Sequence, residues 1–160
     1  MLNDLENEEV KKVWRIVKIV WVALFGILFL HLFMGLSFSN QIGKPIDVSF
    51  IRNLRIALYI LSVLTVIAIN YIRRAIVLSK AEIKRRNNDI KNPYLVKYLV
   101  AMCVALGLAE SIGIYGLVLY VMGKNIIDLF LLVFIAIFAM IFYRPKKKDV
   151  VNIAKKFKEN

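Results

Sequence analysis

Residues 94–143 read YLVKYLVAMCVALGLAESIGIYGLVLYVMGKNIIDLFLLVFIAIFAMIFY. Two apolar runs flank Gly123-Lys124-Asn125, and only Lys97, Glu110, Lys124 and Asp128 carry charge in the whole stretch. About 20 apolar residues suffice for a helix to cross the hydrocarbon core of a bilayer. Water does not reach backbone groups at that depth, so runs of this kind must be helical. The tripeptide between them is a tight turn. The stretch is therefore expected to form a membrane hairpin with spans at about 94–122 and 126–143.

Working toward the N-terminus, Asn92-Pro93 suits a helix start, because proline tolerates the first helical position. A basic loop precedes it, with Lys84-Arg85-Arg86 and Lys91. A second apolar run covers about 50–72, with Arg52 and Arg55 at its start and Arg73 and Arg74 at its end. Ile76, Val77 and Ile83 extend its helical pattern toward Lys84. Residues 39–49 form a polar loop broken by Gly43 and Pro45. The first run covers about 13–38. Trp14 and Trp21 are read as interfacial aromatics, and Lys18 as a side chain that snorkels. Asn3 or Asp4 can cap this helix, and Glu8 with Lys12 is an i,i+4 pair.

At the other end, Arg144-Pro145 and three lysines close the fourth run. Val150, Ile153, Ala154 and Phe157 recur at helical spacing among lysines, so the tail 147–158 reads as an amphipathic helix lying on the membrane surface. The whole chain, 1–160, is expected to be one all-α membrane domain: an integral membrane four-helix bundle of two transmembrane hairpins.

Composition agrees. The chain is 60% hydrophobic with a mean hydropathy of +0.67, above the roughly 45–50% apolar content of a soluble domain. The net charge of +12 would point to nucleic acid on a soluble protein. Here the basic residues sit at the ends of apolar runs. The positive-inside rule and anionic headgroups, met by the loop 73–97 and the tail 144–158, account for them without nucleic acid. Nineteen Lys and Arg fall in the N-terminal segment, the middle loop and the tail, against four in the other two loops and their flanks. That asymmetry places both termini in the cytoplasm of a multi-pass protein of the inner or plasma membrane.

Several functions are not expected. Cys103 is the sole cysteine, so there is no intrachain disulfide, and no Cys/His spacing fits a metal. The acidic start (Asp4, Glu6, Glu8, Glu9) and the long run after it do not read as a signal peptide. No nucleophile-base pair, phosphate loop or metalloprotease signature occurs. The chain is read as a non-enzyme, with no catalytic residues and no cofactor.

The polar residues inside the spans carry what functional information there is. Glu110 lies near the middle of the third span, where a carboxyl costs several kcal/mol unless it is neutral or paired. Such a group either exchanges a proton or small cation, or acts as protonated helix glue. Ser111 sets a hydroxyl beside it. Tyr115, five residues on, is about 140° away around the helix and needs a bend or another helix to reach it. Ala105, Ala109, Gly113 and Gly116 form a small-residue stripe, read as helix packing or as an oligomer face. His31, deep in the first span, reads as a neutral histidine bonded to a neighbouring helix, or as a relay partner of Glu110. Asn70 reads as helix glue. Asp128 reads as capping the fourth helix or pairing with Lys124.

The segment Ala109-Glu110-Ser111-Ile112-Gly113-Ile114-Tyr115-Gly116-Leu117-Val118 resembles the outer helix of the ring-forming proteolipid subunit c of rotary ATP synthases, in particular the sodium-binding kind. Lys91-Asn92-Pro93 resembles the end of that family's cytoplasmic loop. The resemblance covers about residues 107–122. It implies Glu110 as the ion-carrying carboxylate, Ser111 as a hydroxyl ligand, Leu108 as a carbonyl donor and Tyr115 as the support of Glu110, with a proton or sodium as the ion. The family's inner helix is a glycine repeat, whereas residues 55–71 here contain no glycine. Its glutamine ligand has no counterpart; Ser62 or Thr65 lies at a suitable depth. The resemblance thus implies an ion-binding carboxylate rather than a rotor subunit.

Two functional readings result. One is an ion-binding membrane protein, with a homo-oligomer or partner at the small stripe. The other is a structural or assembly subunit of a larger membrane complex, in which Glu110 is glue.

Overall fold

The structure, a computed structural model, describes residues 4–37, 47–78 and 92–156. The chain is all-α. Its described helices are α1 (Asp4–Ser37), α2 (Val48–Leu78), α3 (Pro93–Gly123), α4 (Ile126–Phe142) and α5 (Lys147–Lys156). Helix α2 runs on past residue 72 through Ile76 and Val77 to Leu78, as expected; its continuation from there toward Lys84, the Gly43-Pro45 loop and Phe157 lie outside the described residues.

Local chemistry sets the helix ends. Asn92, in an extended conformation, caps α3 by accepting a hydrogen bond from the Tyr94 amide at 3.0 Å, and Pro93 takes the first helical position. At the far end Lys124 adopts a left-handed conformation (φ 55°), and its amide donates to the Tyr120 carbonyl at 2.8 Å. Asn125 then caps α4 by accepting from the Ile127 amide at 3.0 Å. Gly123-Lys124-Asn125 is thus one residue of C-terminal turn followed by an N-cap. The cap expected of Asp128 belongs to Asn125.

Helix α3 is the spine. It packs against α1, α2, α4 and α5. It is apolar around its whole circumference, the pattern of a helix enclosed by others. Ala105, Ala109, Gly113 and Gly116 are all buried, so the small stripe is used inside the chain rather than offered as an oligomer face. A Cβ on Gly113 would lie 2.5 Å from Leu28 Cδ2 of α1. A Cβ on Gly116 would lie 3.0 Å from Leu132 Cβ and 3.2 Å from the Leu129 carbonyl oxygen of α4. Two helices therefore approach α3 at adjacent small residues.

The α3–α4 hairpin forms as expected. The first hairpin is not closely packed on itself: among the described residues no Cα of α1 comes within 8 Å of one of α2, and each helix lies against α3 instead. Bulky Leu, Ile and Val on α1 and α2 gain more by closing on a small-residue helix than on each other. Both keep broad apolar faces exposed, including Ile19, Phe33, Ile56 and Ile60.

Helices α1, α2 and α3 are each long and apolar enough to cross a membrane. Helix α4 has 17 residues, about 26 Å at 1.5 Å per residue, and passes the same length test only together with α5, from which it is bent by 45°. Trp21 is not free to face headgroups: its Nε1 donates to the Met140 carbonyl at 3.0 Å and ties α1 to α4. Tyr143 likewise donates to the Val66 carbonyl at 3.1 Å, tying α4 to α2. The apolar face of α5 also turns inward. Val150 and Ala154 are buried with Val10, Val13 and Val17 of α1 and Leu95, Tyr98 and Met102 of α3. The tail helix therefore docks on the bundle rather than resting its apolar face on lipid.

Candidate functional site

Glu110 lies seventeen residues after Pro93, near the middle of the 31-residue α3. Its side chain is 14% exposed, and His31 of α1 is 12% exposed. His31 Nε2 stands 3.6 Å from Glu110 Oε1. That is an ion-pair distance, too long for a hydrogen bond. The contact exists because Gly113, one turn along α3, has no side chain: a Cβ there would also lie 3.2 Å from His31 Nδ1. Glycine at 113 is what seats the imidazole beside the carboxyl.

His31 Nδ1 is buried and has no hydrogen-bond partner among the described residues. An unpaired buried polar atom costs about 1–3 kcal/mol. Among the described residues, the position of α1 and Glu110 hold the imidazole. Within the apolar interior, the pair can hold one proton in two ways. A neutral acid can face a neutral imidazole, or a carboxylate can face an imidazolium. Neither arrangement carries net charge.

The other expected ligands do not converge on Glu110. Ser111 Oγ donates to the Leu108 carbonyl of its own helix at 2.8 Å. That bond occupies two groups of the implied ligand set with each other. Tyr115 packs against the apolar core and makes no hydrogen bond to Glu110 among the described residues. Ser62 and Thr65 are buried on α2, where each hydroxyl donates to the carbonyl four residues back, Leu58 and Leu61, at 2.7 Å. This local bonding satisfies them without a partner helix. Asn70 is exposed and lines a cavity between α2, α3 and α5, rather than gluing two helices. Among the described residues, no three His, Cys, Asp or Glu side chains cluster as metal ligands would.

A second polar centre joins α2 to α4. Asp128, 4% exposed, accepts from Arg55 Nε at 2.9 Å and from the Tyr59 hydroxyl at 3.2 Å, and Arg55 Nη2 lies 2.8 Å from the same carboxylate. It pairs with α2, not with Lys124. From sequence alone Arg55 reads only as a charge at the start of the second run. The available signal was the i,i+4 spacing of Arg55 and Tyr59 on a helix whose start meets the start of α4, with one acidic side chain opposite.

No family model matches this chain, and neither does any curated protein or solved structure.

Proposed function

We propose that the chain is a multi-pass protein of the cell membrane, with α1 to α4 crossing the bilayer and both termini in the cytoplasm, and that Glu110 and His31 form a proton-binding pair within it. The lengths and hydropathy of the helices support the first part, together with the collection of Lys and Arg at one end of the bundle. The 3.6 Å approach of His31 Nε2 to Glu110 Oε1 carries the second.

An ionised carboxyl alone in hydrocarbon is too costly to persist. The imidazole gives it an alternative to permanent protonation, because a proton can move from the acid to Nε2 without creating net charge. Loss of that proton, or gain of a second, leaves one net charge in the interior. The pair therefore exchanges protons only when a further charge or water approaches. A proton suits this geometry better than sodium, since the Ser111 hydroxyl and the Leu108 carbonyl are already bonded to each other. The likeness to subunit c is thereby carried by the carboxylate and its small-residue helix, not by a sodium ligand set.

Carbodiimide labelling tests the reading. These reagents attack protonated carboxyls in apolar surroundings. The modified residue is mapped by mass spectrometry across pH, with and without sodium. Labelling at Glu110 that increases on acidification and is more complete in His31→Leu supports a proton pair. Suppression by sodium would instead favour a sodium site. If Glu110 stays unlabelled at every pH in both proteins, it acts as structural glue, and the chain is a structural subunit.

A further inference from the structure

A cavity of about 630 Å³ opens at the basic end of the bundle, between α2, α3 and α5. Asn70, Arg73 and Arg74 line it from α2, Tyr98 from α3, and Asp149 and Asn152 from α5. Arg73 Nη2 donates to Asp149 Oδ2 at 3.2 Å. That bridge fastens α5 to α2 and neutralises one guanidinium. Arg74 forms no ion pair among the described residues, so the cavity keeps a net positive charge. Tyr98, 1% exposed, closes the inner wall of the cavity. A cavity lined by two guanidinium groups and two side-chain amides suits an anion with several acceptor oxygens.

The surroundings narrow the choice. A separate groove of about 490 Å³ runs between α2 and α4, lined by Val66, Phe134, Phe138, Phe142 and Tyr143. Val66, Asn70 and Arg73 stand at i, i+4 and i+7 on α2, so groove and cavity share one stripe of that helix. The groove is apolar where the cavity is cationic.

We propose that this stripe binds one anionic phospholipid, its phosphate held by Arg74 and Arg73 with Asn70 and Asn152, and an acyl chain lying in the groove of Val66, Phe134 and Phe138. Basic pockets between helices at the cytoplasmic face hold such headgroups in general. The inference rests on the membrane reading above, but not on Glu110.

Native mass spectrometry of the full chain in detergent tests it, with phosphatidylglycerol, phosphatidylcholine, dihexanoyl phosphatidylglycerol and inorganic phosphate as probes. Long-chain phosphatidylglycerol is expected to bind at least about fivefold more tightly than phosphatidylcholine. Arg74→Gln should lower that affinity about fivefold, since one interfacial cation contributes about 1 kcal/mol. Arg144→Gln, which removes an exposed charge outside the cavity, should leave it unchanged. Dihexanoyl phosphatidylglycerol should bind more weakly than the long-chain lipid. Equal loss in both variants would overturn the site in favour of diffuse attraction. Displacement of the lipid by millimolar inorganic phosphate would make it a free-anion site instead. A chain that stays monodisperse without detergent would refute the membrane reading, whatever Glu110 does.

Discussion

The Arg55–Asp128 pair predicts an unequal response to removing its two halves. Asp128 is 6% exposed at its side chain, whereas Arg55 is 37% exposed. Arg55→Ala leaves a buried carboxylate held only by the Tyr59 hydroxyl. Stranding a buried charge costs about 3–5 kcal/mol, and the surviving Tyr59 bond puts this case near the lower end, about 3 kcal/mol. Asp128→Ala strands an arginine that can still reach water. Its loss is closer to that of an exposed ion pair, at most about 1 kcal/mol, with about 1 kcal/mol more for the abandoned Tyr59 hydroxyl. Arg55→Ala should therefore destabilise the protein more than Asp128→Ala, by about 1 kcal/mol. The double variant should cost less than the sum, with a coupling of about 1–2 kcal/mol. Reversible unfolding in mixed micelles of rising dodecyl sulfate fraction, followed by circular dichroism, measures all three. An Asp128→Ala cost equal to or above that of Arg55→Ala, or strict additivity, would refute the assignment of the pair.

Three further variants probe the packing and the turn that position the site. Gly116→Ala forces a Cβ against Leu132 and the Leu129 carbonyl, which backbone cannot yield cheaply, so it should destabilise by about 1–3 kcal/mol. Gly107→Ala meets open space on the same helix and should be neutral or stabilising by up to about 1 kcal/mol; the contrast is read in the same micelle assay. Lys124→Gly relieves a left-handed non-glycine residue and should raise stability by about 1 kcal/mol. A loss there would mean that the Lys124 side chain does more than occupy the turn.

What could be read from the sequence was local. Pro93, the Gly123-Lys124-Asn125 turn and the small residues of α3 announce their roles within a few positions, so the α3–α4 hairpin and the all-α class were legible. The positions of Glu110 and His31 along their helices were legible too, since these are a count of residues. Partner choice was not. Whether α1 lies against α2 or α3 depends on which faces interlock, and Gly113 decides it by admitting Leu28 and His31. Asp128 and Arg55 are 73 positions apart, and no periodicity links them. Lys124 is nearer in sequence, and sequence alone favours the nearer cation. Tail helix α5 was legible as amphipathic, but its pattern could not tell a lipid surface from the flank of α1 and α3.

His31 is the sole histidine of the chain, so ¹⁵N-histidine labelling yields one imidazole spectrum. Solid-state NMR of the protein in bilayers across pH, compared with Glu110→Gln, tests the central claim directly. His31 Nε2 stands 3.6 Å from Glu110 Oε1, so the imidazole spectrum reports on the carboxyl beside it. The account predicts that Glu110→Gln changes the His31 ¹⁵N spectrum and its pH dependence. Superimposable spectra of the two proteins at every pH would contradict it, because two groups that do not sense each other cannot share a proton.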